Sequence, residues 1–309
     1  IQSVVAQTYE DWELFLVDDG STDGSAAVAE DYAGRDARIT CLHHPDRRNF
    51  GASASRNLGM RNARGEYLAY LDADDAWLPT KLEEQVRLLD DSPDVGMVYG
   101  PALEWYSWTG RPRDRARDSL RNNAVPPSTV LRPPQMLSLF LRNQRAVPSP
   151  SGILVRTAAI RNVGGSEESF RSIYDDQVLY AKVGLTTSAL VTDRCWYKYR
   201  VHEAQRVSLS VRAGDGLRIR EEFLRWLEGY LERGGYAGTE IWAAVQRELR
   251  PFNDPFLNKV ERARHLAGRI KMGLKRRMTE LLPIGPSPAP VAEPRAGAVE
   301  ERPGRKVKR

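Results

Sequence analysis

The sequence predicts an α/β fold on two observations. Short apolar runs suited to strands alternate with helical spacings through the first hundred residues, and acidic clusters directly follow two of those runs. Residues 12–17 are the first apolar run, 25–32 read as a short helix after a turn, and 38–42 as a second strand. A helix over 53–63, closed by Arg64-Gly65, leads into a third strand over 66–71. Pro79 opens a helix with the apolar positions Leu78, Leu82, Val86 and Leu89, and 95–99 is a fourth strand. Strands separated by helices predict parallel pairing with right-handed crossovers, that is, a Rossmann-like, mostly parallel sheet flanked by helices.

Between 107 and 134 periodicity disappears while arginine and proline accumulate, the pattern of a surface loop. Beyond it, 135–141 and 175–183 read as helices, and 152–155 and 188–199 as strands. Two more helices, 215–233 stopped by Gly234-Gly235 and 239–249 with Thr239 as N-cap, predict a C-terminal helical extension. After Pro283 the chain is rich in Pro, Ala, Gly and charge and is expected to be a disordered tail. Ile1, Val4 and Val5 have the spacing of a helix face already in progress, so the chain is expected to begin inside an element with sequence upstream of it.

Composition excludes several classes. With 309 residues, 41% hydrophobic and 28% charged, the chain has a soluble globular composition. No run approaches the roughly 20 apolar residues of a membrane-spanning helix. Two isolated cysteines, Cys41 and Cys195, make neither a disulfide framework nor a multi-cysteine zinc site, and read as reduced core thiols of a cytosolic protein. The net charge of +5 is unevenly placed: residues 261–309 carry 13 Lys/Arg against 5 Asp/Glu, so the body is net acidic. A nucleic-acid footprint over the body is therefore not expected.

Two carboxylate clusters carry the chemistry. Asp18-Asp19-Gly20-Ser21-Thr22-Asp23 follows the first strand, where parallel α/β sheets bind ligands; a plain hydrophilic turn is the competing reading. Asp72-Ala73-Asp74-Asp75 ends the third strand. Each pair of such carboxylates at about 4 Å costs on the order of 4 kcal/mol at an effective dielectric near 20, unless a cation intervenes. Mg²⁺ or Mn²⁺ would answer that repulsion and keep positions open for substrate phosphates. Between the clusters, Gly51-Ala52-Ser53-Ala54-Ser55-Arg56-Asn57-Leu58-Gly59 brings small residues into a helix start and offers a fixed guanidinium, Arg56, for a base or phosphate. His43 and His44 read as surface residues.

A strand ending in Asp-Asp-Gly-Ser-Thr-Asp, then Ala-Ser-Arg-Asn-Leu-Gly, then Gly-Glu-Tyr-Leu-Ala-Tyr-Leu-Asp-Ala-Asp-Asp and a Leu-Pro helix resembles the nucleotide-binding half of the family 2 glycosyltransferases, which have the GT-A fold. The resemblance covers about residues 1–209. It implies that Asp19, with Asp18 beside it, contacts the nucleoside base, that Arg56 helps hold it, that Asp72 lies at the ribose and metal, and that Asp74 is the main metal ligand. It also implies a first strand, central in the sheet, that is not among these residues. Gly164-Gly165 followed by Tyr174-Asp175-Asp176-Gln177 is similar to the family's glycine pair and acidic pair, usually Glu-Asp. On that match Asp176 is the catalytic base, with Asp175 able to share or replace it; the plain alternative is two helix-capping carboxylates. Tyr199-Arg200-Val201-His202, with Gln205 and Ser208, resembles the family's Tyr-Arg-X-His segment. There His202 would complete the metal shell or, like Arg200, neutralise the diphosphate.

The resemblance thus implies an enzyme, a glycosyltransferase moving a sugar from a nucleoside-diphosphate donor, a UDP-sugar foremost, to a hydroxyl acceptor. It would use Mn²⁺ or Mg²⁺ with inversion, in cell-surface polysaccharide or glycolipid biosynthesis. The expected organisation is a donor half over 1–105, an acceptor half over 106–209, a helical region over 210–282 and the tail over 283–309. Val260, Ala263, Leu266, Ile270, Leu274 and Met278 recur at three- and four-residue steps among basic residues. Such a basic amphipathic helix over 259–282 reads either as a contact with the inner face of the membrane, where a lipid-linked acceptor would reside, or as a helix packed on its own domain. The competing class is a non-catalytic nucleotide-sugar or nucleic-acid binding protein; the gathered negative charge argues against it.

Overall fold

The structure, a computed structural model, describes residues 1–171, 173–205, 209–210, 213–260 and 263. The amphipathic stretch beyond 263, the tail and Ser208 lie outside the described residues. After a one-turn helix α1 (Gln2–Val5), the donor-side motifs ride on β1 (Leu14–Asp18), α2 (Ser25–Arg35), β2 (Ile39–His43), α3 (Ala52–Asn62), β3 (Tyr67–Leu68), β4 (Ala76–Trp77), α4 (Lys81–Asp90), β5 (Val95–Tyr99) and β6 (Ala102–Trp105). Helix α4 shows why the local sequence folds as it does. Glu83 and Glu84 in its first turn complement the helix dipole, and Leu82, Gln85 and Leu89 form its buried face.

The stretch expected to be a loop carries short elements: α5 (Pro112–Arg115), β7 (Ser119–Arg121) and β8 (Thr129–Leu131). Then follow α6 (Gln135–Arg142), β9 (Leu154–Arg156), α7 (Thr157–Asn162), α8 (Asp175–Gly184), β10 (Ser188–Val191), β11 (Tyr197–Arg200), α9 (Gly216–Arg233) and α10 (Glu240–Asn253). The hydroxyl of Thr239 accepts from the Trp242 backbone N–H at 3.4 Å, the cap expected there. The run 188–199 is two strands rather than one. β10 and β11 enter different sheets, and the chain turns between them.

The α/β class with helices flanking the sheets stands, but the pairing is mixed rather than mostly parallel. The described residues form three sheets, in the orders β1-β2, β3-β9-β5-β10-β8 and β4-β11-β6-β7. Among the described residues only β1–β2, β5–β10 and β6–β11 are parallel pairs. β9 runs antiparallel to both β3 and β5, and β8, β4 and β7 are likewise antiparallel to their neighbours. The reason is topological. A crossover helix imposes parallel pairing only on strands that become neighbours, as α2 does for β1 and β2; β3 instead pairs with β9, which arrives from the second half of the chain. Among the described residues the β1–β2 pair shares no ladder with the larger sheets.

β5 is buried along its whole length, as a continuous apolar run between two neighbours should be. One core packs α6 and α8 on the central sheet through Met97, Tyr99, Phe140, Leu179 and Tyr180. Another lies around α4 through Trp77, Leu89, Val98 and Trp196. A third joins the α9–α10 hairpin to α6 and α8 through Leu137, Val178, Phe223, Leu227 and Val245. Cys195 is buried as expected, whereas Cys41 is only half-buried; both are free thiols. Among the described residues no helix is long and apolar enough to cross a membrane.

Candidate active site

The first acidic cluster is held by a loop rather than left open. Asp19 accepts from the Asn49 side chain at 2.9 Å and from the backbone N–H groups of Phe50 and Gly51 at 2.7 and 3.0 Å. Gly20 permits this closure. Its φ is +75°, and a Cβ there would come within 2.8 Å of the Arg48 and Asn49 backbone. Asp18 lies below its ordinary pKa, held there by Ser21 first and by His43. The two histidines expected at the surface serve this cluster. His43 Nδ1 lies 3.5 Å from Asp18. His44, 6% exposed, bonds Ser55 Oγ at 2.9 Å, stacks on Phe50 and lies 3.7 Å from Asp19.

A cavity of about 380 Å³, within the range of small-molecule sites, joins Asp19 to the second half of the chain. Asp19, Phe50, Gly51, Ser53, Arg171 and Asp175 are among its walls. A second cavity of about 230 Å³, between Asp94–Gly96 and Thr186–Thr187, contains none of the expected site residues.

At the far wall Arg56 reaches Asp175 at 3.0 Å and Asp72 at 3.3 Å. Burial alone would lower the Arg56 pKa, but Asp72, Asp175 and Asp176 outweigh it and hold the guanidinium above its ordinary value. Crowding by the protein pushes Asp72 up despite the pull of Arg56. Asp176 is pushed up to about 7, by desolvation first and by Asp175 second, with Arg56 opposing. α8 therefore starts with one carboxylate committed to a cation and one that titrates near neutrality.

The segment that leads to the acidic pair is also tied to the first half. The Asn57 side chain and the Ser166 backbone exchange two hydrogen bonds, at 2.8 and 2.9 Å. Gly165, at φ +71°, must be glycine, because a Cβ would lie 2.5 Å from Asn57 Oδ1. From the other side Phe223 stacks on Tyr174 at 5.2 Å.

Asp74 and His202 meet directly, Nε2 to Oδ2 at 2.9 Å, with 41% of the Asp74 side chain exposed. Arg200 Nε donates to the Asp74 carbonyl at 2.5 Å, and its guanidinium lies over Trp105 and Trp108. Among the described residues no group of three or more His, Cys, Asp or Glu side chains is arranged to hold a metal ion by itself. An exposed carboxylate beside an imidazole, with Asp72 two residues away, nonetheless fits an ion that takes few protein ligands and fills its shell from substrate phosphates. Contacts thus run from Asp19 across the cavity to Asp175, through Arg56 to Asp72, while Asp74, two residues on, pairs with His202.

The family description Glycosyl transferase family 2 matches residues 1–163, more than half of the chain. The chain belongs to this family. The uncharacterized glycosyltransferase YibD of Escherichia coli K12 is 25% identical over 229 residues, which cover 73% of this chain and 63% of that one. The chain thus spans less than two thirds of that relative's length. Two solved structures share the fold. Staphylococcus aureus TarS 1-349 in complex with UDP-GlcNAc superposes with a TM-score of 0.56 at 17% identity, covering 80% of this chain and 67% of that one. The mannosyltransferase PcManGT of Pyrobaculum calidifontis, in complex with GDP-Man and Mn²⁺, gives 0.51 at 17% identity, covering 90% and 77%. Both likenesses place the chain in the GT-A fold.

Sequence reasoning missed His44, Asn49, Asn57, Ser151 and Arg171. Asn57 and Asn49 stand inside or beside recognised motifs, and that nearness was their only signal. Ser151 had none, since its partner Asp75 lies 76 positions away.

Proposed function

We propose that this protein transfers a sugar from a nucleoside-diphosphate donor to a hydroxyl acceptor in one inverting displacement. The observation that carries the proposal is Arg56, which ties the Asp72 segment to Asp175 and so brings the donor-side carboxylates and the acidic pair of α8 to one place. The nucleoside would occupy the cavity beside Asp19, and Arg56, which reaches the cavity wall at Asp175, would help hold it. Asp74 and His202, with Asp72, would hold Mn²⁺ or Mg²⁺, which when bound supplies Lewis-acid stabilisation of the leaving diphosphate. Arg200 adds a fixed positive charge on the same side. The acceptor oxygen forms a bond to the anomeric carbon, the bond from that carbon to the diphosphate oxygen breaks with its electron pair leaving on the nucleotide, and the acceptor proton passes to a carboxylate. Asp176 is that carboxylate, because Asp175 is occupied by Arg56 and burial raises the proton affinity of Asp176. A UDP-sugar as donor is supported by TarS binding UDP-GlcNAc, and use of a divalent ion by PcManGT holding Mn²⁺.

Incubation of the protein with Mn²⁺ and a panel of nucleotide sugars, reading nucleoside diphosphate release, tests the reading. Release from one donor, abolished by chelation, is expected; binding of a nucleotide sugar with no release under any condition would favour a non-catalytic binder. The basic stretch 259–282 is proposed as a membrane-surface contact near a lipid-linked acceptor. Liposome flotation with and without residues beyond Lys259 tests that contact, and equal binding would dismiss it.

A further inference from the structure

We propose that Ser151 is a positioning residue that sets the geometry of the Asp72–Asp75 turn. The proposal rests on reading Asp72 and Asp74 as the donor-side carboxylates. Ser151 is fully buried, and its one hydroxyl serves both ends of the turn. It donates to Asp75 Oδ2 at 2.6 Å and accepts from the Asp72 backbone N–H at 3.1 Å. The turn is closed on itself by the Asp75 N–H bonding the Asp72 carbonyl at 3.0 Å. The second Asp75 oxygen takes the Arg200 backbone N–H at 2.9 Å, which fixes the turn to β11 just before His202. Asp74 is thus carried between two pinned ends, facing the His202 imidazole two residues beyond the end of β11, which is itself attached to Asp75.

Ser151 can serve as a pin because its own backbone cannot shift. Three consecutive carbonyls are each gripped by a side chain from 77–85: Ser151 by Trp77 Nε1 at 2.9 Å, Gly152 by Gln85 Nε2 at 3.0 Å and Ile153 by Lys81 Nζ at 3.1 Å. Lys81 also donates to Gln85 at 2.6 Å and lies over the Trp77 ring, so the grip is cross-braced. On the opposite side Gly152 lies so close to Tyr197 that a Cβ would come within 2.5 Å of its ring. A buried hydroxyl on a segment held this firmly transmits position rather than merely filling space.

The test uses the full chain and measures Mn²⁺ affinity in the presence of UDP by electron paramagnetic resonance, alongside kcat and KM for donor turnover and the thermal midpoint. Ser151→Ala is expected to weaken Mn²⁺ binding about 10- to 100-fold, the usual effect of removing a residue that orients a metal ligand. Asp75→Ala removes the same link from the other end and should do likewise, while Asp75→Asn, which keeps the shape, should lose less. Because both changes break the Ser151–Asp75 bond, although each also removes a bond of its own, the double variant should lose less than the product of the two single losses. Leu249→Ala, in the distant α10, supplies a control that lowers the thermal midpoint without touching the turn. Ser151→Ala and Asp75→Ala binding Mn²⁺ within about twofold of the wild type, or Leu249→Ala weakening it as much, would overturn the proposal. A wild-type protein with no Mn²⁺ binding in the presence of UDP would instead overturn the reading of the donor site beneath it.

Discussion

The proton affinity of Asp176 makes a quantitative prediction about the pH dependence of turnover. A general base must be ionised to act, and burial with the neighbouring Asp175 pushes this carboxyl up to about 7. The ionised fraction is then about one tenth at pH 6, one half at pH 7 and nine tenths at pH 8, so turnover should rise about tenfold from pH 6 to pH 8 and level off above. The groups facing Asp176 decide which way variants move that limb. Asp175→Asn removes a repelling charge and should shift it to lower pH, whereas loss of the Arg56 charge should shift it to higher pH. Asp176→Asn should lower kcat by at least about 100-fold, the contribution expected of a positioned base. Initial rates of diphosphate release, with donor and Mg²⁺ saturating at every pH, measure all three. A limb near pH 4, or one that survives in Asp176→Asn, would refute the assignment of the base to this residue.

Asp74→Ala should abolish turnover while shifting the thermal midpoint little, because the side chain is 41% exposed; full activity in that variant would end the metal assignment. Arg56→Met removes the guanidinium that bridges Asp72 and Asp175 and should destabilise the fold by about 3 kcal/mol, the low end for a buried pair because 39% of the Asp72 side chain is exposed. Urea unfolding measures that loss, and one below about 1 kcal/mol would show that solvent already screens the triad. Burial pushes the fully buried Lys81 down to about 7, so between pH 7 and its unfolded value of 10.5 the unfolded chain binds the extra proton. Stability contributed through this group therefore rises with pH across that window, by at most about 1.4 kcal/mol per pH unit. Comparing the pH dependence of unfolding in Lys81→Met with the wild type isolates it, and parallel curves would contradict it.

The fold was legible where periodicity is local. β1, β2, β5, α3 and α4 each announce themselves within about ten residues, by an apolar run or a 3.6-residue face. The two- and three-residue strands β4, β7 and β8 are too short to show a period, and they exist because longer neighbours pair with them. The split of 188–199 did leave a local mark, since the polar Thr192-Asp193-Arg194 interrupts the apolar run where the chain turns between β10 and β11. At the site the acidic clusters, Arg56 and His202 were readable as motifs. Their mutual arrangement was not, because the Arg56–Asp175 contact spans 119 positions and the Asp74–His202 contact 128. His43 and His44 looked ordinary for the same reason: their partners on β1 and α3 are neighbours only after β1 and β2 pair.

Two strands from the later sequence are wedged between earlier ones, β9 between β3 and β5 and β11 between β4 and β6. For recombination between relatives this matters more than the motifs do. A crossover near residue 105 would exchange the segments bearing the first two acidic clusters yet leave both wedges behind, each fitted to the side chains of a parent no longer present. A chimera meant to change donor preference would keep its packing only if segments 150–156 and 197–200 travelled with the first hundred residues. Donor specificity in this architecture would be inherited as a set of interlocked pieces rather than as a detachable half.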